Sequence, residues 1–355
     1  MVFTTPAVAA LRRRFPDAHI TYLVECAAAP IVAANPHLDE VVVVPRRAGV
    51  AGLFADIALG WRLRREQYDL AIDFHGGPRA SLLTLLSGAL RRVGYDVAGR
   101  GWMYTDVVGR PRELRRRHSV ENQWDLLRAL GVDGPTPGGN PVEMPLEARA
   151  AGAVSDRLAA AGVTPGEDLA VLHVSASSPF RRWPLPSFVE TVVALASRAG
   201  RRVIVTSGPS ERAAAAGIID EARAQLPAGD RHRVLDCGDF SLPELRALLE
   251  RSAVYIGGDS GPLHIAATTR VPIVAIFGPT PSERSAPWRD AALLSEPIEI
   301  DGLSCRPCDQ RVCVPGDFRC LTHIDAPRVI AAAERLLAAR EGAGSPHPPH
   351  PRSAP

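Results

Sequence analysis

Residues 255–288 read YIGGDSGPLHIAATTRVPIVAIFGPTPSERSAPW, a stretch that alternates a buried strand, a tight turn, a helix and a second strand. The apolar runs at 253–256 and 271–277 are typical of strands buried on both faces of a parallel sheet. Between them the letters GGDSGP break the first run, and the Pro suits the first position of a helix, which is predicted over 263–269. The stretch therefore predicts one βαβ unit with a polar turn after each strand.

The two polar turns meet at one edge of the predicted sheet, where open α/β sheets bind their ligands. Free N–H groups at the start of the predicted helix would suit a phosphate there. The same residues also have an ordinary structural interpretation, in which Asp259 and Ser260 cap the helix and His264 is a packed core residue. The residues alone leave both interpretations open.

Strand and helix patterns alternate along the rest of the chain. In the first half, strands are predicted at 19–24, 40–44, 68–74 and 92–95, and helices near 6–15, 52–66, 79–89 and 119–130. After a Gly-Pro-rich break and a helix near 147–162, further strands are predicted at 169–174, 202–206, 233–235, 253–256 and 273–277. Such alternation favours right-handed parallel βαβ units. The sequence therefore predicts an α/β protein with two Rossmann-like domains.

The predicted organisation has four parts. They are an N-terminal Rossmann-like domain over 1–160, a C-terminal one over 161–325, a helix over 326–340 and a tail over 341–355. The tail is rich in Pro and Gly, a composition that favours disorder. Two domains of similar size predict a central cleft between them.

The composition excludes several classes of protein. The chain has 355 residues, 46% of them hydrophobic, and a mean hydropathy near zero, as in ordinary soluble proteins. No stretch is apolar enough to span a bilayer, and the Arg-studded N-terminus lacks a signal-peptide core, so a cytoplasmic location is expected. A net charge of +2 does not favour nucleic-acid binding. All 41 basic residues are Arg, so a single Arg carries little information by itself.

Four segments together resemble one family. The motif Asp-Ser-Gly-x-x-His at 259–264, followed by Phe-Gly-Pro-Thr-Pro at 277–281, is similar to the nucleotide-sugar motif of glycosyltransferase family 9, the ADP-heptose:lipopolysaccharide heptosyltransferases. The segments at 4–18, HVSASSPFRRWP at 173–184 and the cysteine-bearing 304–324 resemble further parts of this family in the same order. The resemblance implies a GT-B fold with a nucleotide-sugar donor bound mainly by the C-terminal domain.

The implied reaction transfers a sugar, heptose from ADP-heptose, to a lipopolysaccharide core or related surface glycan by a metal-independent inverting displacement. Backbone amides and positive charge can stabilise the leaving diphosphate without a metal. Ser260 and Gly261 offer amides at the helix start, and Arg181 offers charge where the family typically has Lys. Arg keeps the charge but changes the geometry. The implied partners are this donor and a lipid-linked glycan acceptor at the inner face of the membrane, which would make the enzyme cytoplasmic or peripheral to that membrane.

Five further residues would bind the donor by resemblance. Asp259 and His264 would contact the sugar or a phosphate. Ser175 and Ser177 follow the first strand of the second domain, where they either hydrogen-bond the phosphates or cap the turn. Glu211 either accepts the ribose hydroxyls or is a helix-start Glu favoured by the helix dipole.

Acceptor-binding candidates follow a strand of the first domain. The letters DFHGG at 73–77 end that strand, and His75 is either a site residue or a polar turn residue. Arg79 lies just beyond and is the second candidate. A cluster of arginines within 110–117 is either a solvated loop or a patch that binds an acidic lipid-linked acceptor.

The catalytic base of the family has no counterpart in this sequence. Family members begin with a buried strand, a glycine turn and an Asp ahead of the Thr-Thr-Pro segment, and that Asp is taken to activate the acceptor hydroxyl. Here the sequence starts at Met1, and loss of that first strand would leave its neighbours without backbone partners, which favours a start site placed too late. Otherwise Asp73 and Asp106 are the nearby carboxylates, and weak or absent activity is expected.

Four of the six cysteines fall in one short segment, at Cys305, Cys308, Cys313 and Cys320. The opening Cys-x-x-Cys has the spacing of metal ligands, and four thiolates could hold a structural zinc ion or an iron–sulfur cluster. The later spacings do not match a zinc ribbon, and packing or labile disulfides are the alternatives. No cofactor is expected to be required for catalysis.

Two rival functions fit the same pattern. One is a degenerate paralogue that binds a nucleotide sugar without catalysis, and binding without turnover would favour it. The other is a nucleotide-sugar epimerase on the same fold, which would form product without an acceptor. An NAD-dependent dehydrogenase is disfavoured because no Gly-x-Gly-x-x-Gly follows a first strand.

Overall fold

The computed structural model describes residues 1–44, 49–109, 117–174, 178–198, 200–308 and 310–342. Its α-helices are α1 (Thr5–Arg14), α2 (Ala29–Val32), α3 (Gly49–Arg65), α4 (Pro78–Leu86), α5 (Ser119–Arg128), α6 (Ala148–Ala160), α7 (Leu185–Ala196), α8 (Arg212–Gln225), α9 (Leu242–Glu250), α10 (Gly261–Ala266), α11 (Ser282–Ser285), α12 (Arg319–Thr322) and α13 (Ala326–Gly342). Its strands are β1 (Thr21–Glu25), β2 (Glu40–Val44), β3 (Leu70–Asp73), β4 (Arg91–Tyr95), β5 (Asp106–Val108), β6 (Asp168–His173), β7 (Arg201–Thr206), β8 (Val234–Leu235), β9 (Val254–Gly258), β10 (Ile273–Ile276) and β11 (Ser295–Ile298). Of the predicted disordered tail at 341–355, residues 341–342 belong to α13, and the rest lies outside the described residues.

Two compact units divide the chain. The first contains Met1–Pro145 and Glu283–Asp290, and the second contains Leu146–Ser282 and Ala291–Pro355. The division falls earlier than the predicted boundary at residue 160, because α6 packs against α9 of the second unit. Buried Ala150, Val154 and Leu158 recur every four residues on one face of α6. On the same helix, Arg157 Nη2 lies 3.1 Å from Glu244 Oε1 of α9.

A six-stranded sheet organises the second unit. Its order is β11-β10-β9-β6-β7-β8, and every pairing in it is parallel. The chain runs outward from β6 through β7 and β8, and then from β9 in the opposite direction through β10 and β11. The strand order therefore reverses between β6 and β9, as in a Rossmann fold.

Burial explains why the central strands form where the sequence predicts them. All residues of β7, β9 and β10 are buried, and so are those of β6 apart from Asp168. Continuous apolar runs suit a sheet that is covered on both faces. One face packs against α7, α8 and α13, and buried Val329, Ala333 and Leu336 face this core from α13. This rigid sheet fixes the positions of the turns at its carboxyl edge.

The first unit contains two separate sheets within the described residues. β1 pairs with β2 in parallel, and β3, β4 and β5 form a second parallel sheet in that order. His118 caps α5, because its Nδ1 accepts a hydrogen bond from the backbone N–H of Val120. Its Nε2 lies 3.0 Å from the backbone oxygen of Ala286. This contact attaches residues 283–290 to the first unit.

The prediction of an α/β protein with parallel sheets is confirmed. The predicted strands correspond to β1 to β4 and β6 to β10, whereas β5 and β11 were not predicted. β11 is a half-exposed edge strand that contains Pro297, which lacks a backbone N–H. Along the described part of the chain, no helix combines the length and the apolar character that crossing a membrane requires.

Candidate functional site

The point where the strand order reverses brings two predicted site residues together. His173 at the end of β6 is in register with Gly257 near the end of β9, so the two strands end side by side. Arg181 follows β6, in the turn Pro179–Arg181, and Asp259 directly follows β9. Ligands of open α/β sheets bind outside the carboxyl ends of the strands at this point. The topology therefore places Arg181 and Asp259 where a ligand is expected.

Arg181 and Asp259 form an ion pair that runs from the interior to the surface. Arg181 Nη1 lies 3.3 Å from Asp259 Oδ2, and it also donates to the backbone oxygen of Asp259 at 3.3 Å. The Asp259 side chain is only 6% exposed, whereas that of Arg181 is 34% exposed. His264 Nε2 lies 3.8 Å from the other carboxylate oxygen, Oδ1. One buried carboxylate thus holds a guanidinium and an imidazole at the sheet edge.

The turn that carries Asp259 lies close to the segment that carries Arg181. A Cβ atom on Gly258 would lie 3.4 Å from the backbone oxygen of Arg181, within van der Waals contact. The Ser260 Oγ atom is buried and has no hydrogen-bond partner among the described residues. A buried hydroxyl without a partner is energetically unfavourable, and it is suited to form a hydrogen bond with a polar ligand.

Helix α10 is shorter than the predicted helix. It covers six residues, Gly261–Ala266, instead of 263–269. The hydroxyls of Thr268 and Thr269 donate to the backbone oxygens of Ile265 and Ala266, a local pattern that competes with helix continuation. Because so short a helix aligns few peptide dipoles, positive charge for an anion comes mainly from Arg181.

Gln310 is a site residue that the sequence analysis missed. Its Oε1 accepts from Arg181 Nε at 2.9 Å, and its Nε2 donates to Thr280 Oγ1 at 3.2 Å. It therefore connects the Arg181 segment to the turn after β10. Gln310 has a φ of 60°, in the left-handed region that non-glycine residues rarely adopt. Its only sequence signal is its place inside the cysteine-bearing segment.

Glu211 lies at the same sheet edge, after β7. Its side chain is buried, and Oε1 lies 3.4 Å from Arg182 Nη2. Oε2 accepts from the hydroxyl of Ser210 at 2.8 Å. Glu211 also occupies the N-cap position of α8 without a side-chain cap hydrogen bond. Both interpretations of this residue therefore stay open, and the predicted donor ligands Ser175 and Ser177 lie outside the described residues.

Polar groups are also buried beneath this edge. His173 Nδ1 lies 2.9 Å from Thr206 Oγ1, while its Nε2 and the hydroxyl of Tyr255 have no partner among the described residues. Burial lowers the pKa of His173 to about 4, so the ring is neutral at pH 7. Burial also raises the pKa of the Tyr255 phenol.

Asp73 in the first unit closes its own turn. Its Oδ1 accepts from the backbone N–H groups of His75 and Gly76 at 2.9 and 2.8 Å. Its Oδ2 accepts from the hydroxyls of Tyr104 and Ser81 at 2.7 and 3.4 Å. Desolvation and this carboxylate raise the pKa of Tyr104 to about 12. A buried carboxylate with four donors is a structural group, so the geometry does not support Asp73 as a base.

The other acceptor-side candidates are engaged locally. His75 Nδ1 accepts from the N–H of Gly77 at 3.1 Å, as expected of a turn residue. Arg79 binds Asp56 of α3 through Nε and Nη2 at distances down to 2.7 Å. Asp106 is bonded to Arg91 and Thr105, and the Arg91 guanidinium holds the pKa of its carboxyl below the usual range. A carboxyl of lowered pKa is a poor base, and the arginines at 110–116 lie outside the described residues.

The predicted metal site in the cysteine-bearing segment finds no support. Within the ranges that the structure describes, no three His, Cys, Asp or Glu side chains are placed to hold a metal ion. All six cysteines are free thiols. Cys320 is part of the hydrophobic core, and burial raises the pKa of its thiol. Cys308 and Cys313 accept backbone N–H groups of Gln310 and Phe318 through sulfur, which shapes the loop that presents Gln310.

Known proteins of one family are similar to this chain. The family model of glycosyltransferase family 9 (heptosyltransferase) matches residues 57–315. Lipopolysaccharide heptosyltransferase 3 of Escherichia coli is 27% identical over 347 residues, which cover 95% of this chain and 96% of that protein.

Two solved structures share the fold. The glycosyl transferase family 9 protein from Veillonella parvula superimposes with a TM-score of 0.79 at 23% identity, covering 95% of this chain and 93% of that chain. The ADP-heptose lipopolysaccharide heptosyltransferase II of E. coli gives a TM-score of 0.74 at 19% identity and 96% coverage of both chains. The predicted GT-B fold class is therefore confirmed.

Proposed function

The chain belongs to glycosyltransferase family 9, and we propose that it transfers a heptose from ADP-heptose to a lipopolysaccharide core or a related surface glycan. Membership of the family makes it a glycosyltransferase. The donor, the acceptor and the stereochemical course are the proposed parts. They are supported by the names of two similar proteins, a lipopolysaccharide heptosyltransferase 3 and an ADP-heptose lipopolysaccharide heptosyltransferase II.

The observation that supports the proposal is the Arg181–Asp259 pair where the strand order reverses. In the proposed complex the half-exposed guanidinium binds the diphosphate of the donor, to which Arg can donate two parallel hydrogen bonds. The buried Asp259 carboxylate keeps Arg181 in place before the donor arrives. Positive charge that is held in advance stabilises negative charge that develops in the transition state.

The proposed displacement forms a bond between the acceptor hydroxyl oxygen and the anomeric carbon. The bond from that carbon to the diphosphate oxygen breaks, and its electron pair leaves with ADP. Attack from the face opposite the diphosphate inverts the anomeric configuration. The hydroxyl proton passes to a general base, and none of the described residues is assigned to that role. Because Arg181 provides charge at the leaving group, we propose that the step needs no metal ion.

The remaining donor contacts are proposed as follows. The amides of Ser260 and Gly261 and the buried Ser260 hydroxyl would bind phosphate oxygens, with Ser175 and Ser177 as further ligands. Asp259 and His264 would contact the sugar or a phosphate, and Glu211 would accept the ribose hydroxyls. His75 and Arg79 would belong to the acceptor side. The acceptor would be lipid-linked at the inner face of the membrane, and the protein would act from the cytoplasm.

The test is a transfer assay with the full chain, ADP-heptose and a lipopolysaccharide core that lacks the heptose, in the presence of EDTA. Heptosylated product by mass spectrometry and stoichiometric ADP are expected. Arg181→Ala should lower turnover by about 10²- to 10³-fold, the usual effect of removing one such donor. Arg335→Ala is the matched control, because Arg335 pairs with Glu296 at the surface and should leave turnover unchanged.

Other outcomes separate the rivals. Calorimetric binding of ADP-heptose without any product would identify a binding protein that lacks catalysis. A modified nucleotide sugar formed without an acceptor would identify an epimerase. The proposal fails if neither ADP nor ADP-heptose binds, or if EDTA abolishes transfer.

A further inference from the structure

Helix α3 of the first unit exposes an apolar face to solvent. Its large exposed side chains, with their exposed fractions, are Val50 (70%), Leu53 (52%), Phe54 (67%), Ile57 (36%) and Trp61 (63%). They recur every three or four residues, so they lie along one side of the helix. From residue 49 to residue 61 the only charged residue is Asp56, which bonds to Arg79. The face therefore offers apolar side chains without charge.

Within the first unit, α3 packs through the other side of the helix. The opposite side of α3 packs closely on α4, where a Cβ atom on Gly60 would lie 2.6 Å from Leu86. Gly52, Gly60 and Leu63 are the buried residues of the helix. Soluble proteins rarely expose a contiguous patch of large apolar side chains unless it is used in an interaction. The exposed side of α3 is thus available to a partner.

The carboxyl end of the same face is basic. Arg62, Arg64 and Arg65 follow Trp61 within four residues, and all three are exposed. Arg62 pairs with Glu40 at 3.1 Å. Arg64 and Arg65 form no ion pair with any residue that the structure describes, so their charges are available to an anion. Trp is the side chain that favours the boundary between lipid and water, and it lies between the apolar and the basic part.

We propose that this face of α3 binds the surface of a membrane that contains anionic phospholipid. The side chains of Leu53, Phe54 and Trp61 would enter the boundary between headgroups and acyl chains, and Arg64 and Arg65 would contact lipid phosphates. This is the arrangement of interfacial helices, which have an apolar face and a basic polar rim. The proposal uses no residue of the donor site, and it would bring the enzyme to a lipid-linked acceptor.

A second copy of the chain fits the face less well. Two copies that paired through α3 would bury the apolar side chains, but the face offers no carboxylate to the arginines of the other copy. Asp56, the one acidic residue of α3, is already bonded to Arg79. Lipid phosphates supply the missing negative charge. Charge complementarity therefore favours a membrane surface as the occupant.

The test is co-sedimentation of the full chain with vesicles of phosphatidylglycerol and phosphatidylethanolamine, compared with vesicles of phosphatidylcholine. Binding to the anionic vesicles is expected, with a blue shift of Trp fluorescence. The double variant F54S/W61S should weaken binding by more than about tenfold, because two large apolar side chains leave the lipid boundary. R64S/R65S should lose the preference for anionic vesicles. The control L90S/V314S removes two exposed apolar side chains elsewhere and should bind like the wild type.

Three results would overturn the proposal. These are no binding of the wild type to anionic vesicles, unchanged binding of F54S/W61S, and a dimer in light scattering that F54S/W61S dissolves. Circular dichroism of each variant checks that it is folded. ADP-heptose binding, measured by calorimetry without vesicles, should be the same in wild type and F54S/W61S. A wild type that does not bind ADP-heptose would contradict the proposed function and leave the membrane result intact.

Discussion

Asp73 and Asp259 occupy similar places in the two units, yet the structure uses them differently. Each stands at the carboxyl end of a parallel strand, the partly buried β3 for Asp73 and the buried β9 for Asp259. Asp73 receives four hydrogen bonds from neutral donors of its own unit, whereas Asp259 faces the guanidinium of Arg181 and the imidazole of His264. One carboxylate closes a turn, and the other holds the guanidinium of Arg181 beside an imidazole at the sheet edge. The charge of the partners, not the position at a strand end, distinguishes a candidate site from a structural turn.

Replacing each carboxylate by alanine should separate stability from activity. Asp73→Ala leaves two N–H groups and two hydroxyls without their acceptor, and it should lower the free energy of unfolding by about 3 kcal/mol. Asp259→Ala leaves the half-exposed guanidinium of Arg181, which water can solvate, so it should lower that free energy by less than Asp73→Ala does. Turnover of Asp259→Ala should fall about 100-fold because Arg181 loses its anchor. Urea denaturation and the transfer assay measure the two effects.

The contrast between Asp73 and Asp259 is contradicted if Asp73→Ala and Asp259→Ala have the same effects on stability and turnover. Asp73→Asn is the matched control, because it keeps the shape and one acceptor oxygen and should recover part of the stability. Full turnover by folded Asp73→Ala is compatible with a structural role. A 100-fold loss of turnover in that variant at full folding would return Asp73 to the list of catalytic candidates.

In the second unit, the strands that the sequence predicts well are those whose residues are buried on both faces. β6, β7, β9 and β10 read as continuous apolar runs and are predicted within one or two residues. β5 has three residues and β11 is a half-exposed edge strand with a proline, so neither leaves a pattern of burial. The length of α10 depends on hydroxyl bonds of Thr268 and Thr269, which no periodicity reveals.

Only part of the candidate site could be predicted from the sequence. Arg181 and Asp259 follow adjacent strands, so the topology alone brings them together. Gln310 reaches Arg181 across 129 positions of sequence from an irregular loop, and no local pattern predicts such a contact. The possible metal site is not confirmed within the described residues, and Cys-x-x-Cys spacing alone does not specify which way the thiols point in an irregular loop.

Acid should destabilise both units through one buried histidine each. Burial lowers the pKa of His118 and of His173 to about 4, from an ordinary value of 6.5. Between these values the unfolded chain binds protons that the folded chain does not, so stability is complete above pH 6.5 and falls as the pH drops toward 4. Each histidine should contribute a loss of up to about 1.4 kcal/mol per pH unit in this range. Urea denaturation at pH 7.5, 6.5 and 5.5 measures the loss.

Variants assign the acid effect to each unit. His118→Asn keeps an acceptor for the cap of α5, and His173→Gln keeps a polar partner for Thr206. Each should reduce the pH dependence between 6.5 and 5.5 relative to wild type, whatever its effect at pH 7.5. An unchanged slope in either variant would mean that carboxylates elsewhere dominate the acid response of that unit.

Removing one hydrogen bond from each strand-end cluster should give smaller effects, on stability in the first unit and on kcat in the second. Tyr104→Phe removes a hydroxyl that donates to Asp73, and it should lower the free energy of unfolding by about 1 to 1.5 kcal/mol. Gln310→Ala removes a contact at the half-buried site edge and should leave that free energy within about 0.5 kcal/mol of wild type. Its kcat should fall about three- to tenfold because Arg181 is less well positioned. A fall in the stability of Gln310→Ala that matches Tyr104→Phe would make Gln310 a structural residue.

The smallest effect is expected from two tyrosine hydroxyls, of which one has a hydrogen-bond partner and the other has none among the described residues. The Tyr95 hydroxyl of the first unit donates to the backbone oxygen of Asn122 at 2.8 Å, so Tyr95→Phe should lower the free energy of unfolding by about 1 kcal/mol. The Tyr255 hydroxyl of the second unit is fully buried without a partner among the described residues, so Tyr255→Phe should be neutral or stabilising by up to about 1 kcal/mol. Chemical denaturation of both variants at pH 7.5 measures the difference. A loss in Tyr255→Phe as large as that in Tyr95→Phe would indicate that a buried water binds the Tyr255 hydroxyl, because only a satisfied hydroxyl contributes stability there.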